Sequence, residues 1–428
     1  VKTRFEEVVS KSLVRFVGRK NSMATLRSIW NRATDGFGQV LGIMGEPGIG
    51  KSRLMLEFKR SLADDDIHFL AGRCLPYGDS IAYLPFLDIL KSHFSIKEGQ
   101  NDSDSTKNIK EKITFMDRKT SPFMLSAFQQ LLSLKTDDES WQAIEPKQRR
   151  HHIFETLKCL FIRMSQEKPL IIVVDDLQWM DKTSEEFLSY FIDSISQNPI
   201  LLVLLYRPEY SHPWEKKSHY CKIGLGQLTK KSSLELISAV LEEGAVEDEL
   251  EQLILRQSGG NPLFIEELIY SLQENHVIEK KNGRFALVSG FDSIHIPDTI
   301  HGIVAARIDK LDDTLKRITQ VASVIGHNFG YRLLQTITGM GEELKSSLDK
   351  LQSIELIYEK KLFPELEYTF KHALIQEVAY RSLLIKRRKE LHVKIGLALE
   401  LLNTDRLDEF YETLAYHFSV GEEYPKAY

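Results

Sequence analysis

The segment Gly45-Glu46-Pro47-Gly48-Ile49-Gly50-Lys51-Ser52 has the residue types and spacing that most plainly do chemistry. It fits G-x-x-x-x-G-K-[ST] in full. Its glycines let successive backbone N–H groups turn inward and form a nest for an anion. A helix opening at its end adds a positive dipole end. Lys51 is placed to reach the β- and γ-phosphates of a nucleotide, and the Ser52 hydroxyl to ligate Mg²⁺. A divalent ion also needs a carboxylate, and LIIVVDD (170–176) supplies one. Asp175 would hold the metal through water, and Asp176 would orient or deprotonate the attacking water. Arg207, closing the next apolar run, is placed for the γ-phosphate, where it would tell triphosphate from diphosphate and stabilise transferred charge. Alone, an acidic pair caps a turn as readily, and a strand-end arginine is as readily solvated. The complete phosphate loop gives the acidic pair its functional reading.

Such groups work only if elements bring them together. QVLGIM (39–44) is a short apolar run, followed by the glycines and then by SRLMLEFKRSL at helical spacing, which reads strand, loop, helix. PLIIVVDD (169–176) and PILLVLLYR (199–207) are near-continuous apolar runs between helical stretches, and AGRC (71–74) ends a further strand. This pattern predicts an α/β domain whose parallel sheet is buried on both faces. Ligands then sit at the carboxyl ends of the strands. Two polar stretches, 97–112 and 136–148, read as surface insertions that are at least partly mobile. After Thr229 the pattern is mostly helical. Asp298 and Asp312 are placed to cap two successive helices. LIYEKK and LEYTFKH suggest a hairpin, and the helical pattern resumes from about 385.

Composition narrows the class. A chain of 428 residues accommodates two or three domains. Its 56 basic and 61 acidic residues leave a net charge of −5, which argues against a wholesale nucleic-acid binder. Cys74, Cys159 and Cys221 lie far apart, as reduced thiols in a cytoplasm would. The longest apolar runs fall well short of the roughly 20 residues that cross a bilayer. The sequence opens on Val1 and closes within a charged helical pattern, as a piece of a longer protein would.

Other residues give a family likeness. FVGRKNSMATL (16–26) resembles the N-terminal h-h-G-R-E box of the STAND class of signal-transduction P-loop ATPases, within the AAA-like group also described as Orc1-like. Lys20 departs from its usual acidic residue. RCLPYGDSIAYLPF (73–86), LQWMDKTSEEFL (177–188) and GNP (260–262) are similar to segments of ATPase modules that follow a class III adenylate/guanylate cyclase domain and precede tetratricopeptide repeats. FKHALIQEVAYRSLL (370–384) resembles the signature closing that family's winged-helix domain. The resemblance implies a linker (1–15), a P-loop ATPase α/β domain (16–225), a helical lid (226–290), a winged-helix-like domain (291–384) and the start of a tetratricopeptide-like region (385–428). It implies that Val17, Gly18 and Arg19 lie against adenine, with Arg53 beside the phosphate loop. Pro262 would meet base or ribose, and His372 the β-phosphate.

The implied function is an ATP-binding, slowly hydrolysing switch using ATP/ADP and Mg²⁺. It would regulate a linked effector, such as a nucleotide cyclase, and meet protein partners through downstream repeats. The alternatives are a regulator whose winged helix reads DNA through Arg387 and Arg388, and a scaffold that holds nucleotide without hydrolysis. In RSLLIKRRKELHVK (381–394), leucines and an isoleucine between the charges favour one solvated helix face over a DNA surface.

Overall fold

The apolar runs form the centre of a sheet. The structure, a computed structural model, describes residues 14–74, 82–96, 100–113, 123–242, 244–281, 283–288, 297, 299–341, 343–361, 366–404, 407 and 410–423. Strands β1 (Gln39–Met44), β2 (His68–Arg73), β3 (Leu170–Asp175), β4 (Ile200–Tyr206) and β5 (Tyr220–Gly224) pair in parallel, in the order β2-β3-β4-β1-β5. Period-two alternation sends Ile172, Val174, Leu202 and Leu204 to one face, against Phe161 and Phe187. Ile171, Val173, Leu201 and Val203 face the other side, with Leu54 and Phe58 of helix Lys51–Ser61. Helices on both faces bury β3 and β4 completely, which is why their sequences do not alternate.

The register sets the functional edge. Asp175 closes β3 opposite Arg73 of β2, while β4 runs between β3 and β1 and aims Arg207 between the acidic pair and the phosphate loop.

Both polar stretches lie mostly at the surface, and their described residues are partly helical. Asp102–Ile113 is a helix with Ile109 fully buried, and Glu139–Gln142 is a short helix capped by Asp138. Trp141 is 1% exposed, and its Nε1–H donates to Gln130 Oε1 at 2.9 Å. A single buried apolar residue, Ile109 or Trp141, ties each helix to the core, although its composition is polar. Replacing Trp141 by Ala should cost about 3–5 kcal/mol, as large-to-small core changes do, read as an earlier urea midpoint. An unchanged midpoint would make the segment dispensable.

Beyond Thr229, which caps helix Lys230–Val240, the chain is helical with two small sheets. Helices Asp248–Ser258 and Pro262–Glu274 pack beside β6 (Ala245–Val246), β7 (Ile278–Lys281) and β8 (Arg284–Leu287). Asp312 caps helix Asp313–Ile325 as expected, its Oδ1 accepting from the Leu315 amide at 2.8 Å. Asp298 lies outside the described residues, and Thr299 caps helix Ile300–Asp309. The expected hairpin is β10 (Ile357–Lys361) with β11 (Glu367–Phe370), joined by an unforeseen third strand, β9 (Asn328–Gly330). Helices Ala373–Arg381, Ile385–Leu402 and Tyr411–Val420 follow. Along 381–394, Arg381 pairs with Glu377, Arg387 with Glu390 and Lys389 with Glu422, so three of its six Lys and Arg side chains have acidic partners within the chain. Among the described residues no helix is long and apolar enough to cross a membrane.

Candidate functional site

Gly48 and Gly50 have φ of 76° and 98°, the left-handed region that glycine enters without strain. A Cβ at Gly48 would also lie 2.7 Å from Leu263 Cβ, so helix Pro262–Glu274 backs the loop directly. Asn261, just before that helix, donates to the Pro47 carbonyl at 3.0 Å. Lys51 is buried and folds back, its Nζ donating to the carbonyls of Gly45 at 2.7 Å and Glu46 at 3.2 Å. Burial lowers its pKa, opposed by the charges of Asp175 and Asp176. The Ser52 hydroxyl donates to Asp175 Oδ2 at 2.7 Å, which sets two hard oxygens side by side.

Asp175 and Asp176 are adjacent in sequence yet opposite in character. Burial and the neighbouring Asp176 charge hold the Asp175 carboxyl above the ordinary carboxylate range. Burial pushes Asp176 the same way, but Arg73 overrides it and holds Asp176 below that range. Arg73 Nε and Nη2 reach the same Oδ2 at 3.1 and 2.9 Å, and Gln178 donates to Oδ1 at 2.9 Å. Asp176 takes φ of 60°, unusual for a residue with a side chain, and turns away from the line of β3.

The third expected group, Arg207, meets a partner rather than solvent. Its Nη2 donates to Glu377 Oε2 at 3.2 Å, and its guanidinium lies 5.7 Å from the Trp179 ring centroid. Glu377 is 3% exposed and belongs to helix Ala373–Arg381, so this bond ties the parallel-sheet region to the C-terminal helices. His372 immediately precedes that helix. Its Nε2 is buried without a hydrogen-bond partner, and burial with the nearby Lys371 charge holds its pKa down to about 3.

These groups line one cavity of about 400 Å³, reached by Lys51, Asp175, Asp176, Arg207, Pro262 and His372. Residues 14–19 close its other end. Arg19 donates to the Ile49 carbonyl at 3.0 Å, and Arg53 to the Val14 carbonyl at 3.0 Å. Gly18 packs so closely on Ser232 that a Cβ there would come within 2.6 Å of it, and Val17 packs with Leu228 and Leu236. Of the candidate residues, Gly18, Gly45 and Glu46 lie outside the cavity lining, and the others line it. Arg73 and Glu377 were not singled out. Glu377, a charge inside the apolar run ALIQEVAY, offered a signal; Arg73 offered none until register placed it beside Asp175.

The donor set fits a magnesium nucleotide. Two left-handed glycines and a buried lysine suit phosphates, and the hydroxyl–carboxylate pair suits a hard divalent ion. Among the described residues no cluster of three His, Cys, Asp or Glu could hold a metal, so phosphate oxygens and water would complete its shell.

Comparison with known proteins agrees. Residues 15–203 match the family model of the AAA ATPase domain, a span that takes in the phosphate loop, Arg73, Asp175 and Asp176 but ends before Arg207. Residues 229–286 match a domain of unknown function (DUF8739). An uncharacterized protein of Rhizobium meliloti (strain 1021) is 27% identical over 389 residues, covering 90% of this chain and 37% of its own length. The adenylate cyclase type 10 of Mus musculus is 21% identical over 248 residues, 56% of this chain and 15% of its own length. The chain thus spans well under half the length of these curated relatives. A signal transduction ATPase with numerous domains (STAND) protein with a tetratricopeptide repeat sensor, from Pyrococcus horikoshii, has a TM-score of 0.54 at 14% identity. The match covers 97% of this chain and 49% of that one, and is a likeness of fold.

Proposed function

We propose, from the premise that residues 15–203 are an AAA ATPase domain, that the chain is a nucleotide-dependent switch that hydrolyses ATP slowly. The single observation that carries this reading is the Arg207–Glu377 bond, which ties a cavity-lining arginine to the C-terminal helices. The backbone amides of Gly45–Ser52 would hold the phosphates, while Lys51 leaves the Gly45 and Glu46 carbonyls for phosphate oxygens. Ser52 and Asp175 would hold Mg²⁺, which when bound neutralises charge on the β- and γ-phosphates. Asp176 would orient the attacking water, with Arg73 fixing its carboxylate.

Arg207 is the element with two states. Leaving Glu377 with no replacement would strand a buried charge, at a cost of about 3–5 kcal/mol. A γ-phosphate in place of that carboxylate keeps the guanidinium paired, while Glu377 retains Arg381 at 2.8 Å. ATP and ADP then make different contacts with the same arginine, which is what a ligand-driven switch requires. Helix Ala373–Arg381 would be released with ATP and held with ADP, with His372 over the β-phosphate. Residues 291–384 are read as the winged-helix-like domain that carries this motion, and residues 226–290 as the lid.

The output would belong to an effector joined to this chain. The likeness to an adenylate cyclase and to a repeat-bearing STAND protein favours a cyclase and protein partners bound by helical repeats. Glu377→Gln tests the latch. Amide hydrogen exchange in helix Ala373–Arg381 should rise when wild-type protein takes up a non-hydrolysable ATP analogue, and should already be raised in the variant without nucleotide. Exchange that ignores both changes would contradict the latch.

A further inference from the structure

Glu266 lines the cavity and is a carboxylate that the switch does not use. Pro262, Glu266 and Tyr270 recur at four-residue spacing on helix Pro262–Glu274, so one face of that helix lines the cavity. Two cations act on Glu266: Lys371, which follows β11, and Arg53, from the helix after the phosphate loop. Both are committed elsewhere. Arg53 pairs with Glu57 at 2.9 Å and donates to the Val14 carbonyl. Lys371 pairs with Glu355 and lies 4.5 Å from the Tyr270 ring centroid. Among the described residues no hydrogen bond or ion pair engages the Glu266 carboxylate itself. Burial accordingly pushes it up to about 7. A half-buried carboxylate that lines a cavity and turns no hydrogen bond to the protein is open to a partner from outside it.

We infer that Glu266 accepts hydrogen bonds from the ribose hydroxyls of the bound nucleotide, so that the site prefers ribonucleotides to 2′-deoxyribonucleotides. This rests on reading the cavity as an ATP site. Glu266 lies just over one helical turn, about 6 Å, beyond Pro262, while Leu263 of the same first turn backs Gly48. That offset suits the part of a nucleotide just past its phosphates. A carboxylate repels phosphate oxygens, so it helps confine them to the Lys51 end. Leu228, Leu236 and Phe16 offer an apolar wall for the base rather than for the sugar. A ribose diol presents two O–H donors to a carboxylate, and hydrogen bonds to a charged group are the stronger kind. The same chemistry serves dinucleotide sites, where an acidic residue takes the ribose 2′-OH.

The test is calorimetric titration of the whole chain, wild type and Glu266→Ala, with ADP, 2′-deoxy-ADP and GDP. Wild type should bind ADP roughly 10- to 100-fold more tightly than 2′-deoxy-ADP, the range expected for a hydrogen bond to a charged group. In the variant, ADP and 2′-deoxy-ADP should bind with equal affinity, at or somewhat below that of 2′-deoxy-ADP for wild type, since the 3′-OH contact is lost as well. Residual binding of both also shows that the variant is folded. An equal ADP to 2′-deoxy-ADP ratio in both proteins would overturn the assignment. So would a variant that changes only the preference for ADP over GDP, since the carboxylate would then read the base. A wild-type chain that binds no ADP would overturn the ATP site itself, and this inference with it.

Discussion

Lys51→Ala abolishes binding of ATP and ADP in calorimetric titration, a loss of at least roughly 100-fold in affinity. The size follows from charge-assisted hydrogen bonds of about 1.5–3 kcal/mol each, of which Lys51 would make two with phosphate oxygens. Its ammonium is already stripped of most water and satisfied by the Gly45 and Glu46 carbonyls, so little further desolvation opposes phosphate binding. Alanine leaves the glycine nest in place but removes the cation at its centre. Stability should change little, because the buried charge is costly to hold before any phosphate arrives. The variant should therefore remain folded by circular dichroism while failing to bind. Unchanged affinity would remove the phosphate loop from the account.

The second large effect separates binding from hydrolysis. Asp176→Asn should leave ATP affinity within a few-fold of wild type and lower turnover by roughly 10²–10⁴-fold, the range for losing a general base. Asparagine keeps the size of the side chain and can still accept from Arg73, but it cannot take a proton from water. Asp175 keeps its bond from Ser52, and loss of the Asp176 charge only favours its ionised form. The check is phosphate release under single turnover beside retention of ATP by filter binding. Turnover equal to wild type would assign water activation to another group. It would also favour a scaffold that merely holds nucleotide.

What could be read from the sequence follows from where burial is two-sided and where chemistry is local. β1, β3 and β4 are central strands, and their unbroken apolar runs stand out. β5 escaped notice because it is an edge strand with several half-exposed residues, so Tyr220–Gly224 carries no such run. The phosphate loop is contiguous and therefore legible. The Ser52–Asp175 pair was within reach because the loop's chemistry demands a carboxylate at a neighbouring strand end. Arg207–Glu377 was not, since 170 positions separate the partners and only the folded C-terminal helices bring them together. The stretch 136–148 reads as a surface insertion for a different reason. A single large aromatic can bury a segment whose other residues are polar, and composition averages that signal away.

The ion pairs that hold the C-terminal half also bear on the switch. Arg307 is buried between Glu267 and Glu274 of helix Pro262–Glu274 and donates to the Ile354 carbonyl at 2.8 Å. The helix that backs the phosphate loop is thereby fastened to the region carrying His372 and Glu377. A change at Gly48 or Arg207 thus has two buried routes into the same helices, and a switch needs such coupled contacts.

The central claim is that this cavity holds a nucleotide whose phosphates decide the contacts of Arg207. The most direct measurement is the nucleotide carried by the purified chain, released by denaturation and identified by chromatography. The account predicts stoichiometric ADP, exchangeable for added ATP. A chain that carries no nucleotide and takes up neither ADP nor ATP would contradict it.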